Sequence, residues 1–343
     1  MLAHVLFPLA AADPHDTNNL RLVGKRFEYD ELPVKVDTAS TERGIQVGFN
    51  KCNSTTQTQD SMCQTIVVNS IDDFCIYIPP TLMEVGNAEA GMVAACTKPT
   101  HGARLIPQGA LTAVQFLKSP SYVAVMGRLN QQLLNIPAGD TGGEVDSGGQ
   151  DQRGNPIGAM AYSNALPFTE GQLKQSPVWH QFIGSDMFCM KLCDLSAPNA
   201  MGLCEHVFDT YGCGVNVPGA YKENSFESCD SDDQKPVQPG VTDLPATSNC
   251  VPAQSAEIYA GLPSVSGSAT TTTPIGSSAS GSSRPGSTGV SGSQTNRGGA
   301  SASSTSTSTS TSTPGGSAAK VQAFGVAALV PLVAGLLGAA FLV

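Results

Sequence analysis

The sequence predicts a β-rich fold, mainly β or α+β, that is bonded by disulfides and has one or two short helices beside a disordered Ser/Thr-rich stalk. Short segments rich in Val, Ile, Phe and Tyr alternate with Pro, Gly, Asp and Asn, which is the pattern of strands joined by turns. Ten cysteines occur in the same part of the chain, and an even number is typical of a protein that folds in an oxidising compartment. A long tract of Ser and Thr follows them, and it predicts the stalk.

Six segments have the length and composition of strands, each bounded by turn residues. They are 44–52, 61–68, 74–78, 91–96, 111–117 and 122–129. The last two predict a hairpin, because Ser119, Pro120 and Ser121 supply a turn between them.

One segment predicts a helix, and another is ambiguous. A helix is predicted at 198–212, since apolar residues recur there at i, i+3 and i+4 spacing and Gly212 is a typical stop signal. These apolar residues are Met201, Cys204, Val207 and Phe208. Segment 184–195 fits either a helix or a strand.

The cysteines form two clusters on either side of a Gly-rich loop at 139–158. Four precede the loop and six follow it: Cys52, Cys63, Cys75, Cys96, Cys189, Cys193, Cys204, Cys213, Cys229 and Cys250. Both clusters are even, so pairing within each cluster is predicted, while the choice of partners stays open. A zinc site needs two short C-x-x-C spacings, and Cys189 with Cys193 is the nearest approach to one, so no metal is predicted. The loop either separates two sub-domains, 34–138 and 159–252, or decorates one domain.

Both termini have the composition of targeting signals. Residues 1–12 resemble a short or incomplete signal peptide, apolar and ending in alanines, without the usual basic start. Residues 321–343 are apolar and uncharged, and small residues precede them at Gly315, Gly316 and Ser317. This order predicts a glycosylphosphatidylinositol (GPI) attachment signal, with those three residues as attachment candidates. A single membrane-spanning helix is the alternative.

The segments between the two signals differ sharply in composition. Residues 264–319 are almost wholly Ser, Thr, Gly, Ala and Pro, which predicts a disordered stalk that is O-glycosylated after secretion. Residues 13–262 hold all ten cysteines and predict the folded ectodomain. Asn53 begins an Asn-Ser-Thr sequon directly after Cys52, so N-glycosylation on a surface loop is predicted there.

Charge and motifs exclude several classes of function. The formal net charge is −10, which argues against nucleic acid and anionic lipid surfaces as partners. The sequence has no G-x-S-x-G elbow, no H-E-x-x-H and no phosphate-binding loop. We therefore predict no enzymatic activity, no cofactor and no metal.

Two groups of acidic residues suggest a site, and both have a simpler structural explanation. The loop carboxylates fit calcium chemistry but not the spacing of an EF-hand, so a solvated loop is favoured. They are Asp140, Glu144, Asp146 and Asp151. Asp72 and Asp73 would need a facing carboxylate to act as a glycosidase pair, and their place before a strand is typical of a turn.

The histidines and the single tryptophan also have structural explanations. His206 and Asp209 lie on the predicted helix beside Glu205, but the sequence identifies no nucleophile for them, so a structural histidine is favoured. Trp179 and His180 would form a platform for stacking sugars if they were exposed, whereas a single Trp is more often part of the core.

Several segments together resemble the fungal macrophage-activating glycoproteins. They read NKCNSTT at 50–56, DSMCQT at 60–65, NSIDDFC at 69–75, CTKP at 96–99, RLIP at 104–107, RGNP at 153–156 and CEH at 204–206. The resemblance covers roughly 34–250, and the chain departs from the family at its N-terminus, where a full leader is expected. The resemblance implies a secreted, GPI-linked surface glycoprotein of fungi that is named for an effect on host immune cells. It implies no catalytic residue.

We therefore expect a GPI-anchored fungal cell-surface or cell-wall glycoprotein with a structural or recognition role and no catalysis. Its expected partners are the GPI lipid and either cell-wall glycans or host-cell receptors. One alternative is a carbohydrate-binding module, which would need an exposed aromatic platform. The other is a cell-wall glycan hydrolase or transglycosidase, which would need two carboxyl groups facing each other across a cleft.

Overall fold

A computed structural model of the chain describes residues 21–205 and 207–259. Other predictions lie outside these residues: the signal peptide at 1–12, the stalk at 264–319, the apolar tail at 321–343, the attachment candidates Gly315, Gly316 and Ser317, and His206. The described residues belong to one compact unit.

Strands dominate the described residues, as the composition predicted. In chain order they are β1 (Thr65–Ser70), β2 (Asp73–Ile78), β3 (Val93–Cys96), β4 (Arg104–Leu105), β5 (Leu111–Lys118), β6 (Tyr122–Leu129), β7 (Gly143–Asp146), β8 (Met160–Ser163), β9 (Lys174–Gln175), β10 (Val178–Gly184), β11 (Met187–Cys193), β12 (Phe226–Ser231) and β13 (Thr247–Pro252). The α-helices of the described part are short: α1 (Val85–Ala88), α2 (Ala200–Leu203), α3 (Gly212–Asn216) and α4 (Ser255–Ile258). Single 3₁₀ turns occur at Leu22–Gly24, Tyr29–Glu31, Glu89–Gly91, Gln131–Leu134, Pro167–Thr169 and Asp209–Tyr211. No helix within the described ranges has the length and apolar character needed to cross a membrane.

The strands form two mixed sheets. The six-stranded sheet has the order β4-β3-β2-β1-β8-β9, with parallel pairs at β3/β4 and β1/β8. The seven-stranded sheet has the order β13-β12-β5-β6-β11-β10-β7, with a parallel pair at β5/β12. Strands β5 and β6 form the predicted hairpin, in which Lys118 lies opposite Val123.

The two sheets pack against each other over a shared apolar core. Phe74 of β2 stacks on Phe188 of β11 with ring centroids 6.1 Å apart, and Tyr77 of β2 lies 5.2 Å from Trp179 of β10. The amide of Gln181 satisfies the backbone of Tyr77, accepting from its N–H at 2.7 Å and donating to its carbonyl at 2.8 Å. Since full burial of one large apolar side chain stabilises a fold by about 1.5–3 kcal/mol, these contacts hold the sheets together.

The seven-stranded sheet is buried on both faces. Along β6, Val123 and Val125 face the core between the sheets, whereas Tyr122 and Met126 face a second apolar cluster. Residues within 203–217 contribute to that second cluster. A sheet with two covered faces explains why β6 is a continuous apolar run rather than an alternating pattern.

All ten cysteines form disulfides, and every pair lies within its own cluster. The bonds are Cys52–Cys63, Cys75–Cys96, Cys189–Cys213, Cys193–Cys204 and Cys229–Cys250. Two of them join neighbouring strands, β2 with β3 and β12 with β13. The prediction of a β-rich, disulfide-bonded fold is confirmed, and each bond typically contributes about 2–4 kcal/mol to the free energy of unfolding.

Strands from both sides of the Gly-rich loop share both sheets. Strand β8 follows the loop and pairs with β1, which precedes it, while β12 follows the loop and pairs with β5. The stretches 34–138 and 159–252 are therefore interleaved within one fold.

The predicted strand at 44–52 is wrong. The segment forms hydrogen bonds, but these do not make a continuous ladder with a neighbouring strand. Phe49 forms an isolated bridge with Cys63. The backbone N–H of Gly48 donates to the side chain of Gln64 at 3.1 Å instead of to a neighbouring strand. The segment joins neither sheet, and isolated backbone hydrogen bonds together with side chains hold it in place.

The predicted helix at 198–212 is too long, because a tertiary contact ends it early. Helix α2 stops at Leu203. The Leu203 carbonyl, which a continuing helix would bond to residue 207, accepts a hydrogen bond from Lys191 Nζ at 2.7 Å. The ambiguous segment 184–195 contains strand β11.

Lys191 ties the ends of α2 and α3 and the loop at Gln234 to the outer face of the seven-stranded sheet. Its buried Nζ donates to the carbonyls of Leu203 at 2.7 Å and Asn216 at 2.5 Å, and to Gln234 Oε1 at 2.6 Å. The same atom lies 5.2 Å from the centroid of the Tyr122 ring. An ammonium group has three protons to donate, and each has an acceptor here, so the role of Lys191 is structural.

We expect Lys191→Met to lower the free energy of unfolding by about 3 kcal/mol or more, since each buried acceptor left unpaired costs about 1–3 kcal/mol. Chemical denaturation of both proteins measures the difference. Lys174→Met is the matched control, because Lys174 forms a partly exposed ion pair with Glu28 and should change stability little. Equal stability of the Lys191 variant and the original chain would contradict this role.

Candidate functional site

A cleft of about 940 Å³ opens beside β7, at the end of the seven-stranded sheet. Residues from 207–214 line one side, and the Gly-rich loop and the turn between β10 and β11 line the rest.

Strand register puts two carboxyl groups on the floor of the cleft. In β7, Glu144 and Asp146 line the cleft, and Val145 between them packs into the core, as the alternation of a strand requires. Pairing with β10 sets Glu144 opposite Phe182 and Asp146 opposite His180.

A disulfide fixes the wall above this floor. Phe182 lies opposite Cys189 of β11, and Cys189 is bonded to Cys213, which lines the cleft. The bond therefore holds the segment 207–214 over the face of the sheet that carries Glu144.

Glycines allow β7 to approach its neighbours closely. A Cβ on Gly142 would lie 2.2 Å from the Ile183 carbonyl oxygen, and one on Gly184 would lie 2.1 Å from the Cα of Gly142. A Cβ on Gly143 would lie 2.5 Å from Glu89 Oε1. No larger residue fits at these positions without moving the strand or the carboxyl group, so the glycines shape this edge of the cleft.

Glu89 reaches the cleft from a 3₁₀ turn and is held there by Asn155. Asn155 Nδ2 donates to Glu89 Oε2 at 2.9 Å, while Asn155 Oδ1 accepts from Arg43 Nη2 at 3.0 Å. Burial raises the pKa of Glu89, although hydrogen bonds from Asn155 and from the Glu144 backbone oppose the rise.

Asp146 is buried on the floor and is oriented by backbone groups. Its Oδ1 accepts from the N–H of Gly148 at 2.8 Å and of Gly149 at 2.5 Å. Its own N–H and carbonyl pair with Asn155 at 2.7 and 2.9 Å. These contacts lock the carboxylate into one orientation.

Glu144 has an oxygen that the described protein leaves unsatisfied. Its side chain is 9% exposed, and Oε1 is buried without a hydrogen-bond partner. Burial raises the pKa of Glu144 well above its usual value, and the charges of Asp146, Asp209 and Glu89 add to the rise. Both effects oppose ionisation of this carboxyl group.

The lining of the cleft is acidic and polar. The described residues that line it include no Lys, Arg or His. Its carboxyl groups are those of Glu89, Glu144, Asp146 and Asp209. Amide and hydroxyl groups lie beside them, on Thr141, Gln150, Gln152, Ser185 and Thr210.

Of the four loop carboxylates that suggested calcium, two line the cleft and two form other contacts. Glu144 and Asp146 line the cleft, whereas Asp140 accepts from the N–H groups of Gly142 and Val85, at 2.9 and 2.7 Å. Asp151 forms an ion pair with Arg43 at 2.5 Å.

One group of potential metal ligands comes close together among the described residues, away from the cleft. The potential ligand atoms that come within 4.8 Å of one another there belong to Glu227, Cys229 and Cys250. Both of these cysteines are consumed by one disulfide, so they cannot act as thiolate ligands.

Asp72 lies in the turn between β1 and β2, as its sequence context favours, and Asp73 is the first residue of β2. Asp72 forms an ion pair with Lys98 at 3.0 Å, and Asp73 contacts His101 Nε2 at 2.6 Å. Burial alone would raise the pKa of Asp73, but hydrogen bonds from His101 and Asn69 lower it below its usual value. Both carboxylates are used in local contacts outside the cleft.

Trp179 and His180 do not form a sugar platform, because both are buried in β10 at 1% and 0% exposure. His180 Nδ1 lies 3.0 Å from the carbonyl oxygen of Glu205. Asp209 lies at the exposed rim of the cleft, and His206 is outside the described residues.

Asn53 is exposed in a surface turn, as its sequon requires. Its Oδ1 accepts from the N–H of Thr55 at 2.9 Å and from Thr55 Oγ1 at 2.6 Å.

Sequence reasoning missed Glu89 and Asn155 as site residues. They are 66 positions apart. Asn155 belongs to the RGNP segment at 153–156, which carries the family resemblance but indicates no site, and Glu89 belongs to no segment that the sequence analysis singled out. The one available signal was the cluster of glycines around β7, which indicates close backbone approach but does not name the partner.

Fold and cleft together define a disulfide-bonded, two-sheet β protein with an acidic cleft at one sheet edge. The chain is 37% identical over 219 residues to appressorium protein ROW1 of Mycosarcoma maydis, a match that covers 60% of this chain and 51% of ROW1. It is 36% identical over 216 residues to appressorium protein ROW2 of the same fungus, covering 61% of this chain and 72% of ROW2. The chain belongs to the family of these appressorium proteins.

The chain spans about half the length of ROW1. No protein-family model matches it, and no solved structure matches it. Neither relative's name bears on the resemblance to macrophage-activating glycoproteins, which stays a prediction.

We expect Glu144→Gln to stabilise the fold increasingly as the pH rises. In the unfolded chain Glu144 titrates near 4.5, whereas its pKa in the fold is higher. Between these two values the unfolded state loses a proton that the folded state keeps, so the original chain loses stability as the pH rises and the variant does not.

Chemical denaturation between about pH 4 and about pH 8 measures this difference. Glu170→Gln is the control, because Glu170 is exposed and does not line the cleft. A stability difference for the Glu144 variant that stays constant across this range would show that Glu144 titrates as an ordinary surface group.

Proposed function

We propose that this chain is a secreted, GPI-anchored surface glycoprotein of fungal appressoria with a structural or recognition role rather than a catalytic one. The observation that carries the recognition role is the preformed cleft, whose floor is fixed by strand register and whose wall is fixed by a disulfide. Rigid sites of this kind bind ligands without a large ordering cost.

The proposed location draws on two independent supports. The relatives ROW1 and ROW2 are named as appressorium proteins. The apolar, uncharged stretch 321–343 after small residues has the composition of a GPI signal. Proposed partners are the GPI lipid and either cell-wall glycans or host-cell receptors.

A carbohydrate-binding module that stacks sugars on aromatic rings is the weaker alternative. Among the residues that the structure describes, the exposed large aromatic side chains are Phe168 and Tyr211. Neither lines the cleft. A ligand there would be held by hydrogen bonds and charge rather than by stacking.

A cell-wall glycan hydrolase or transglycosidase is a second candidate, and one observation favours it. Glu144 and Asp146 share the floor of the cleft, one without a hydrogen-bond partner for Oε1 and the other bound by backbone N–H groups. A proton-donating carboxyl group beside a carboxylate is the pair that glycoside hydrolysis uses. If the protein releases new reducing ends from wall glycans, a hydrolase or transglycosidase becomes better supported than a recognition role.

We expect phosphatidylinositol-specific phospholipase C to release the protein from intact cells, because the proposed anchor is a GPI lipid. Immunoblotting of the supernatant and the cell pellet measures the release. A variant with Gly315, Gly316 and Ser317 all replaced by Leu is the control, since it removes the small residues that the attachment reaction needs. Retention in the membrane, with peptides from 321–343 still present by mass spectrometry, would refute the anchor.

A further inference from the structure

We propose that the Cys229–Cys250 disulfide is a redox-sensitive clamp on strand β13. A small dithiol opens this bond while the other four disulfides stay closed, and β13 then leaves the seven-stranded sheet. The clamp is a property of the folded part of the chain, so it does not depend on the proposed GPI anchor or on a ligand in the cleft.

The five disulfides differ in how far the protein covers them. Three bonds have both cysteines buried: Cys75–Cys96, Cys189–Cys213 and Cys193–Cys204. In the fourth, Cys63 is buried and Cys52 is partly buried against the core. All ten cysteines lie among the described residues, and Cys250 alone is exposed, although its partner Cys229 is buried. Because an attacking thiolate must reach a sulfur atom, Cys250 is the point where exchange begins.

The Cys75–Cys96 bond is a matched comparison within the same protein. Like Cys229–Cys250, it joins two neighbouring antiparallel strands and spans a sequence separation of 21. The two bonds close loops of equal length, and loop length sets the entropic part of a disulfide's stabilisation. Cys75 and Cys96 are both 0% exposed on interior strands, whereas β13 is the end strand of its sheet. A difference in their reduction rates therefore reports access.

The backbone ladder between β12 and β13 is interrupted at the disulfide. The register shifts between Ser228 and Asp230 of β12, which flank Cys229. On the facing strand, Asn249 next to Cys250 has a left-handed φ of 50°. A bulge of this kind disrupts the hydrogen bonds between two strands locally. The covalent bond therefore joins β12 and β13 at the point where their backbone pairing is broken.

Side-chain packing contributes little to the attachment of β13. All six residues of the strand are exposed, and none belongs to either apolar cluster. Asn249 Nδ2 donates to Asp230 Oδ2 at 2.9 Å, but both groups are exposed to water. Burial of apolar surface is the dominant favourable contribution to folding, and β13 lacks it. The strand therefore depends on its interrupted pairing with β12 and on the disulfide.

The segments before and after β13 have attachments of their own. Strand β12 pairs with β5 from Phe226 to Asp230. After β13, Ile258 of α4 is buried, and the N–H of Leu111 donates to the Tyr259 hydroxyl at 2.7 Å. Opening the disulfide therefore frees β13 as a loop between two fixed points, and it leaves the edge of β12 without a neighbouring strand.

The opening reaction transfers two electrons from the dithiol to the disulfide. A thiolate of the reductant attacks Cys250 Sγ, the S–S bond breaks, and Cys229 leaves as a thiolate that takes up a proton. The second thiol of the reductant then displaces Cys250 from the mixed disulfide, which leaves Cys250 as a thiol and the reductant as a cyclic disulfide. A carboxylate oxygen of Glu227 lies within 4.8 Å of both sulfur atoms, so an uncharged reductant is the suitable probe.

Timed reduction of the folded full chain with dithiothreitol tests the order in which the bonds open. Each sample is quenched with excess iodoacetamide in denaturant, which traps every thiol whatever its burial, and peptide mapping by mass spectrometry identifies the labelled cysteines. We expect Cys229 and Cys250 to be labelled at least about tenfold faster than Cys75 and Cys96. Equal rates for the two pairs, or opening of all five bonds together, would overturn the proposal.

Hydrogen exchange measures whether the open bond releases β13. In a double variant, Cys229→Ser with Cys250→Ser, the amides of 247–252 should exchange at least about tenfold faster than in the original chain, while those of β5 and β6 keep their protection. The selectively reduced protein gives the same measurement if the variant does not fold. Unchanged protection of β13 would show that the bond is not a clamp. Loss of protection in β5 and β6 as well would show that it supports the whole sheet, which also contradicts the proposal.

Discussion

The buried ion pair between Arg153 and Asp37 holds together the parts of the chain on which the cleft depends. Arg153 Nε and Nη2 both donate to Asp37 Oδ1, at 3.1 and 2.6 Å. Arg153 Nη1 also donates to Thr41 Oγ1 at 2.6 Å and to the Gly44 carbonyl at 3.0 Å. The segment before β1 is thereby fastened to the Gly-rich loop, which has little apolar surface of its own to bury. Removing one partner of such a pair typically costs about 3–5 kcal/mol, because the other charge stays buried.

Further ion pairs and hydrogen bonds connect this part of the chain to the carboxyl groups of the cleft. Arg43 pairs with Asp151 and donates to Asn155, and Asn155 in turn donates to Glu89 and pairs with the backbone of Asp146. Polar and charged residues outside the cleft thus hold its carboxyl groups near one another. This arrangement explains why the segment 44–52 joins no sheet: its polar groups form hydrogen bonds with the Gly-rich loop instead.

Local patterns predicted the fold class but only part of the site. The apolar runs, the turn at Ser119–Ser121 and the even cysteine clusters are local signals, and each corresponds to a feature of the structure. The helix at 198–212 failed because Lys191 takes the Leu203 carbonyl, a contact that no local pattern encodes. Glu144 and Asp146 were weighed as one group with Asp140 and Asp151, and only strand alternation separates the two pairs. Glu89 could not be found, since its partner Asn155 is supplied by the tertiary fold.

Lys191 and Glu144 are both buried ionisable residues, and they differ in whether their polar atoms have hydrogen-bond partners. Asp146, His180 and Lys191 lie in one row across β7, β10 and β11, so both residues belong to the same covered face of the sheet. Lys191 has an acceptor for every proton, and its burial therefore stabilises one arrangement of the loops above it. Glu144 has an oxygen with no donor, and its burial therefore costs stability that the disulfides nearby offset. Violations of this kind are expected at functional or strained sites, and that is why the cleft, rather than the buried lysine, is the place to look for the partner of this protein.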